Sequence, residues 1–169
     1  MKKQWTTSRR VILTIFLVIA VTIGVLSGCV GKGSEATEKL SAAEVGKSIE
    51  QTVDLKEMKK GDHAKLQKLY KLDEDMVEDF ILYTSVSNVK ADEWAVIKVK
   101  EQSQAEMVKK KIEERITAQK IKFESYRPDE YFLVENHVLK TEARFVFFAV
   151  SNEANQMEQA FDDAFKPIR

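Results

Sequence analysis

The segment "RFVFFAV" carries apolar side chains on both of its alternations. Phe145, Phe147 and Ala149 form one set, and Val146, Phe148 and Val150 the other. Successive residues of a strand point to opposite faces of a sheet, so a strand of this composition needs cover on both. "FILY", Phe80 to Tyr83, has the same character. A chain with two such strands is restricted to a sheet lying between two layers, or to a sheet that leaves an apolar face for a partner.

The layers are sought in the helical periodicities. Ser41 and Glu44 stand at capping-box spacing, and Ala42, Val45, Ile49 and Val53 recur at helical intervals, which predicts a helix over 42–52. Asp62 as N-cap, with Leu66, Leu69 and Tyr70 on one face, predicts a second over 62–70. "DFILYTS" and "EWAVIKVK" read as antiparallel strands joined by the residues between Ser87 and Asp92. A long helix is expected in "SQAEMVKKKIEERITAQKIKFESY". Ser103 and Glu106 would form its capping box, Glu106 stands four residues before Lys110, and Pro128 marks its stop. Its apolar stripe is Ala105, Val108, Ile112, Ile116, Phe123 and Tyr126, with Gln119 on the same line. "EYFLVENHVLK" and "ARFVFFAVS" read as strands around a tight "TEA" turn. "NEANQMEQAFDDAF" reads as a closing helix with Met157, Ala160, Phe161, Ala164 and Phe165 on its apolar face. The expected fold is a single α+β domain, residues 41–169: one antiparallel sheet of about four strands in the order α-α-β-β-α-β-β-α. The long and C-terminal helices would cover one face, and the helices at 42–52 and 62–70 the other.

Before this domain, Lys2, Lys3, Arg9 and Arg10 precede a run without charge from Val11 to Leu26, the layout of a secretory signal. Leu26-Ser27-Gly28-Cys29 resembles a bacterial lipobox. That resemblance implies diacylglyceryl attachment to the Cys29 sulfur and cleavage before it, with acyl chains holding the protein at the membrane. Residues 1–28 are then a lipoprotein signal peptide, residues 29–40 a lipidated cysteine and flexible tether, and the domain is lipid-anchored on the extracytoplasmic face of the cell membrane. The whole chain has 27 basic and 27 acidic residues, and removal of residues 1–28 leaves 23 against 27. This mildly acidic balance argues against nucleic acid as a partner. Cys29 is the sole cysteine, so its lipidation leaves no thiol for a disulfide, a metal or a nucleophile.

From about Val53 onward, the pattern "VDLKEMKKGD…KLYKLDEDMVEDFILYTS…KADEWAVIKVK…IEERITAQKIKFESYRPDEY…ENHVLK" resembles a family of uncharacterised small lipoproteins from Gram-positive bacteria, catalogued as a domain of unknown function. The Asp92-Glu93 step into a strand and the Ala118-Gln119 pair are the more specific pieces of the likeness. The "KTEAR" turn departs from it, because relatives often place a glycine there. The resemblance implies a Gram-positive lipoprotein and carries no activity with it.

The remaining clusters have ordinary explanations. "LDEDMVED" groups Asp73, Glu74, Asp75, Glu78 and Asp79 without the glycine turn of a calcium loop, and reads as solvated charge. Lys109 to Lys111 have acids within a turn on either side. His63 and His137 are the only histidines, and a histidine-based site would have to recruit both. No glycine-rich loop follows a strand, and no serine stands in a nucleophile elbow. No cofactor and no metal site is expected. Polar residues in apolar surroundings are the candidate binding residues: Tyr83, Asp92, Glu93, Gln119 and Asn136. Their bland explanation is that they cap elements or satisfy buried backbone groups. The expected function is a non-catalytic binding or assembly module of the cell envelope, with an envelope protein or peptide as partner. The alternatives are a small envelope hydrolase or transferase working through carboxylates, and an accessory solute-binding protein. An uncovered apolar face would favour the binder; two carboxylates of separated pKa in a pocket would favour the enzyme.

Overall fold

The computed structural model describes residues 38–166. The described residues belong to one compact unit. The signal segment, the lipobox with Cys29 and the tether up to residue 37 lie outside them.

Helix α1, Ala42–Glu50, starts at the expected capping box, with the Ser41 and Glu44 side chains each bonded to the other's backbone N–H. Its Gly46 lies against β2: a Cβ there would stand 2.5 Å from Ile81 Cγ2. That close approach explains a glycine inside a helix. Strand β1, Met58–Lys60, follows, then α2, His63–Tyr70, capped by Asp62 accepting from the Lys65 N–H. Strands β2, Val77–Ser85, and β3, Glu93–Val99, are the expected antiparallel pair. Helix α3, Ala105–Phe123, is followed by α4, Pro128–Glu135. Strands β4, Val138–Glu142, and β5, Phe145–Val150, form a hairpin, and α5, Ala154–Ala164, closes the described chain.

The five strands form one wholly antiparallel sheet in the order β1-β2-β3-β5-β4. Two of its three interior strands, β3 and β5, are buried along their full length, as an apolar two-sided strand requires. On one face Ala95, Ile97, Val99, Val146, Phe148 and Val150 pack with α2, α3 and α4. On the other Trp94, Val96, Phe145, Phe147 and Ala149 pack with α1 and α5, and Phe161 stacks on Phe147 at 5.0 Å between ring centres.

Several expectations are corrected. The sheet has five strands against the expected four or so, because β1 pairs with the end of β2. "EYFLVEN" is not a strand: Pro128 stands in the first turn of α4 with Asp129 and Glu130, where a fixed φ and acidic charge both favour helix. The proline that stops one helix starts the next, and the element order becomes α-β-α-β-β-α-α-β-β-α. The long and C-terminal helices lie on opposite faces, and the first two helices are split between the faces. Glu101 and Gln104, around a short 3-10 turn, form the box ahead of α3 in place of Ser103 and Glu106. Tyr126 falls beyond α3 and is 51% exposed. The hairpin turn is Ala143-Arg144, with Ala143 left-handed at φ 51°.

Candidate functional site

Strand β3 begins with a carboxylate that the fold removes from water. Glu93 pairs in the ladder with Thr84 and Val150, and its side chain turns toward α2 and α3. Tyr70, the last residue of α2, donates its hydroxyl to Glu93 Oε1 at 2.8 Å. Arg115 on α3 donates from Nη2 to Oε2 at 2.7 Å and from Nε at 3.2 Å. Gln119, one helical turn further on, reaches the same oxygen from Nε2 at 3.5 Å. Glu93 is 1% and Gln119 3% exposed. A buried carboxylate is tolerable only when paired and hydrogen-bonded, and here three side chains do so. Burial, reinforced by the adjacent Glu93 charge, pushes the Tyr70 hydroxyl well above the usual tyrosine range. Burial would lower Arg115, but its bonds to Glu93 outweigh that and raise it. Gln119 Oε1 is buried without a hydrogen-bond partner among the described residues. Turning the amide over would set its oxygen against the carboxylate, so the donor must face Glu93.

A second buried carboxylate stands beside this group. Glu130, in the first turn of α4, accepts the Ala91 N–H at 2.7 Å, Lys90 Nζ at 2.9 Å and Arg127 Nη2 at 3.3 Å. Burial raises its pKa, but these three donors together bring it below the ordinary value. They also tie the β2–β3 connection to α4. Asp92, the residue before Glu93, moves the other way: burial first, then repulsion from Glu130, raise its carboxyl.

Two clefts open at this end of the sheet. One, of about 260 Å³, is lined by Lys65, Glu93, Arg115, Gln119 and Lys122 among others. The other, of about 400 Å³, is lined by Asp54, Glu57, Glu153 and Met157 among others. Ser85, Lys90 and Asp92 line both.

Of the five sequence candidates, Asp92, Glu93 and Gln119 are brought together. Tyr83 is on the other face of the sheet, stacked on Trp94 at 4.9 Å and donating to Glu50 at 2.8 Å; burial and the Glu50 carboxylate push its hydroxyl up to about 12. Asn136 is a cap, its Nδ2 donating to the Phe132 carbonyl at 2.8 Å. Sequence reasoning missed Tyr70, Arg115, Glu130 and Lys122. The i, i+4 spacing of Arg115 and Gln119 could have found the first helix contributor; Glu130 was hidden by assigning its segment to a strand. His63 packs edge-on against Phe80, and His137 contacts the Val134 carbonyl through Nδ1 at 2.7 Å. At the opposite end of β3, Lys98 is bonded to Glu78 at 2.8 Å and to the Glu38 carbonyl at 2.9 Å, while Arg144 bridges Glu78 and Glu38. Among the described residues no three acidic, histidine or cysteine side chains are grouped to hold a metal ion.

Residues 51–151 match the family described as a domain of unknown function, DUF4358. The chain belongs to that family. The matched residues include all five strands and the Tyr70, Glu93, Arg115, Gln119 and Glu130 group, whereas α1 and α5 fall outside them. The two pieces that carried the likeness in sequence, Asp92-Glu93 and Ala118-Gln119, meet at the Glu93 carboxylate. No curated protein and no solved structure matches the chain.

Proposed function

We propose that this DUF4358 protein is a lipoprotein of a Gram-positive envelope, anchored through diacylglyceryl-Cys29 on the extracytoplasmic face of the membrane, and that its domain is a non-catalytic binding or assembly module. The observation that supports binding over chemistry is the state of Glu93. Its two oxygens are held by Tyr70, Arg115 and Gln119, an arrangement that fixes cleft walls and commits the carboxylate to pairing. Both faces of the sheet are covered, so the binding surface is the pair of clefts at the end of the sheet rather than an apolar face. The anchor is supported by the charge, apolar run and Leu26-Ser27-Gly28-Cys29 sequence; among the described residues no helix is long and apolar enough to cross a membrane, which bears on spanning and not on lipidation.

The test has two parts. Cys29→Ala should leave precursor of unprocessed size without fatty-acid label; cleavage at the same place with label retained would sink the anchor. Affinity capture with the mature lipidated protein should then recover an envelope protein or peptide that a Lys122→Met, Glu57→Gln double variant loses.

A second reading rests on Asp92. Its pKa is raised while that of neighbouring Glu130 is lowered, the separation expected of a carboxylate pair with an acid partner. Glu130, however, is buried and fully engaged with Ala91, Lys90 and Arg127. A small envelope hydrolase would therefore depend on Asp92 alone as acid. Release of soluble fragments from envelope material, abolished in Asp92→Asn, would establish that reading over the binder.

A further inference from the structure

The two clefts carry opposite charge and meet at Asp92. In the larger one, Asp54, Glu57 and Glu153 face a single lysine of the cleft's own, Lys56, which is already bonded to Asp54 at 3.0 Å. In the smaller one, Lys65, Arg115 and Lys122 face Glu93, which Arg115 neutralises. The shared Lys90 is taken up by Glu130 at 2.9 Å, so it blurs neither side. The clefts also belong to different faces of the sheet. Met157 of α5 lines the acidic one and Gln119 of α3 the basic one, and these helices cover opposite faces. A ligand reaching both must wrap the end of β3 at Asp92.

Resting on the binding-module reading, we propose that this paired site takes a short zwitterionic peptide: its α-ammonium in the acidic cleft beside Glu57 and Glu153, its α-carboxylate in the basic cleft beside Lys122 and Lys65. Three or four extended residues span ~10–14 Å, and both clefts share Ser85, Lys90 and Asp92 in their walls, so a short peptide is the class of ligand that places one terminus in each. The smaller cleft is below the ~300–1,000 Å³ of sites for drug-sized molecules, so it suits a terminus rather than a bulky side chain. A monoanionic carboxylate fits it better than a dianionic phosphate, which would stand against Asp92. Burial and the nearby Arg115 lower the Lys122 pKa, and an incoming carboxylate relieves that. Arg115 uses Nε and Nη2 on Glu93, and its Nη1 has no bond among the described residues.

Calorimetric titration of the full chain in detergent with trialanine, N-acetyl-trialanine and trialaninamide separates the two ends. Trialanine should bind, and blocking either terminus should weaken binding about three- to tenfold. Lys122→Met should abolish the difference between trialanine and its amide while keeping the difference on acetylation; Glu57→Gln should do the reverse. Both side chains are exposed, and unchanged circular dichroism confirms that each variant folds. Failure of trialanine to bind, equal binding of all three peptides, or equal weakening of all three by each variant would overturn the proposal. If trialanine fails to bind but affinity capture still returns a partner that the double variant loses, the ligand class fails and the binding module stands; if trialanine binds as expected and capture returns no protein, the paired site stands and the envelope-protein partner is what fails.

Discussion

Glu93 shows how a single side chain can be flagged from sequence without its role being read. An acid stepping into an apolar strand stands out against "WAVIKV", and so did Gln119 on the stripe of α3. Neither residue names the partner it will meet, because Tyr70 and Arg115 are brought in by packing across 22 to 23 residues of chain. Replacing Glu93 by Gln should leave Arg115 beside an amide and remove the charge it neutralises. The expected loss is about 3–5 kcal/mol, against about 1.5–3 kcal/mol for Tyr70→Phe, which deletes one hydrogen bond to a charged group; urea unfolding curves of the two variants check this. Asp92 gives the opposite sign. Burial and Glu130 raise its pKa, so the folded state holds the proton more tightly than the unfolded one. Its contribution is therefore complete below the ordinary value of 3.8 and is lost as pH rises through the raised folded value. Asp92→Asn should unfold at higher urea than the parent at pH 7 and at nearly the same urea at pH 3.

Among the elements, α3 was the most legible because its stripe is long and regular. Ala105, Val108, Ile112, Ile116, Gln119 and Phe123 are all buried. Truncating Ile112 or Ile116 to Ala should cost about 2–5 kcal/mol, while exposed Lys110→Ala should be near neutral; equal losses at all three would contradict this helix face. Helix α4 was illegible for a physical reason. Its Tyr131, Phe132 and Val134 are strand-favouring residues, and they do not gather on one helical face: Val134 is buried whereas Phe132 is 64% exposed. With no periodicity to read, only Pro128 and the two acids after it carried the signal. The β4–β5 turn was half legible. A tight turn was foreseen, and the missing glycine now has a cost, since Ala143 holds a left-handed φ of 51°, unfavourable for an L-residue by roughly 1–2 kcal/mol. Ala143→Gly should raise stability by up to about 1 kcal/mol once the extra freedom of glycine in the unfolded chain is subtracted, measurable as an upward shift in thermal midpoint.

At the scale of the whole domain, the need for two covered faces was written in β5, but the assignment of helices to faces was not. Both alternations of β3 and β5 are apolar, so hydrophobicity alone gives α1 and α2 no preference between them. What separates them is specific. Tyr70 of α2 bonds to Glu93, which projects on the α3 side, while Gly46 lets α1 settle closely onto Ile81 on the opposite side. The split makes a sharp prediction. A chain beginning at Leu55 loses α1 but keeps α2, so the face of Ile81, Trp94 and Val96 loses Ala42, Val45 and Ile49. Three apolar side chains withdrawn at ~25 cal/mol per Å² of exposed surface is a large fraction of a domain's marginal stability. That chain should bind an apolar dye and associate, whereas one beginning at Leu40 should stay monomeric and dye-silent. If α2 were instead the cover of that face, the Leu55 chain would be as silent as the Leu40 chain, and the two-sided arrangement of the first helices would be wrong.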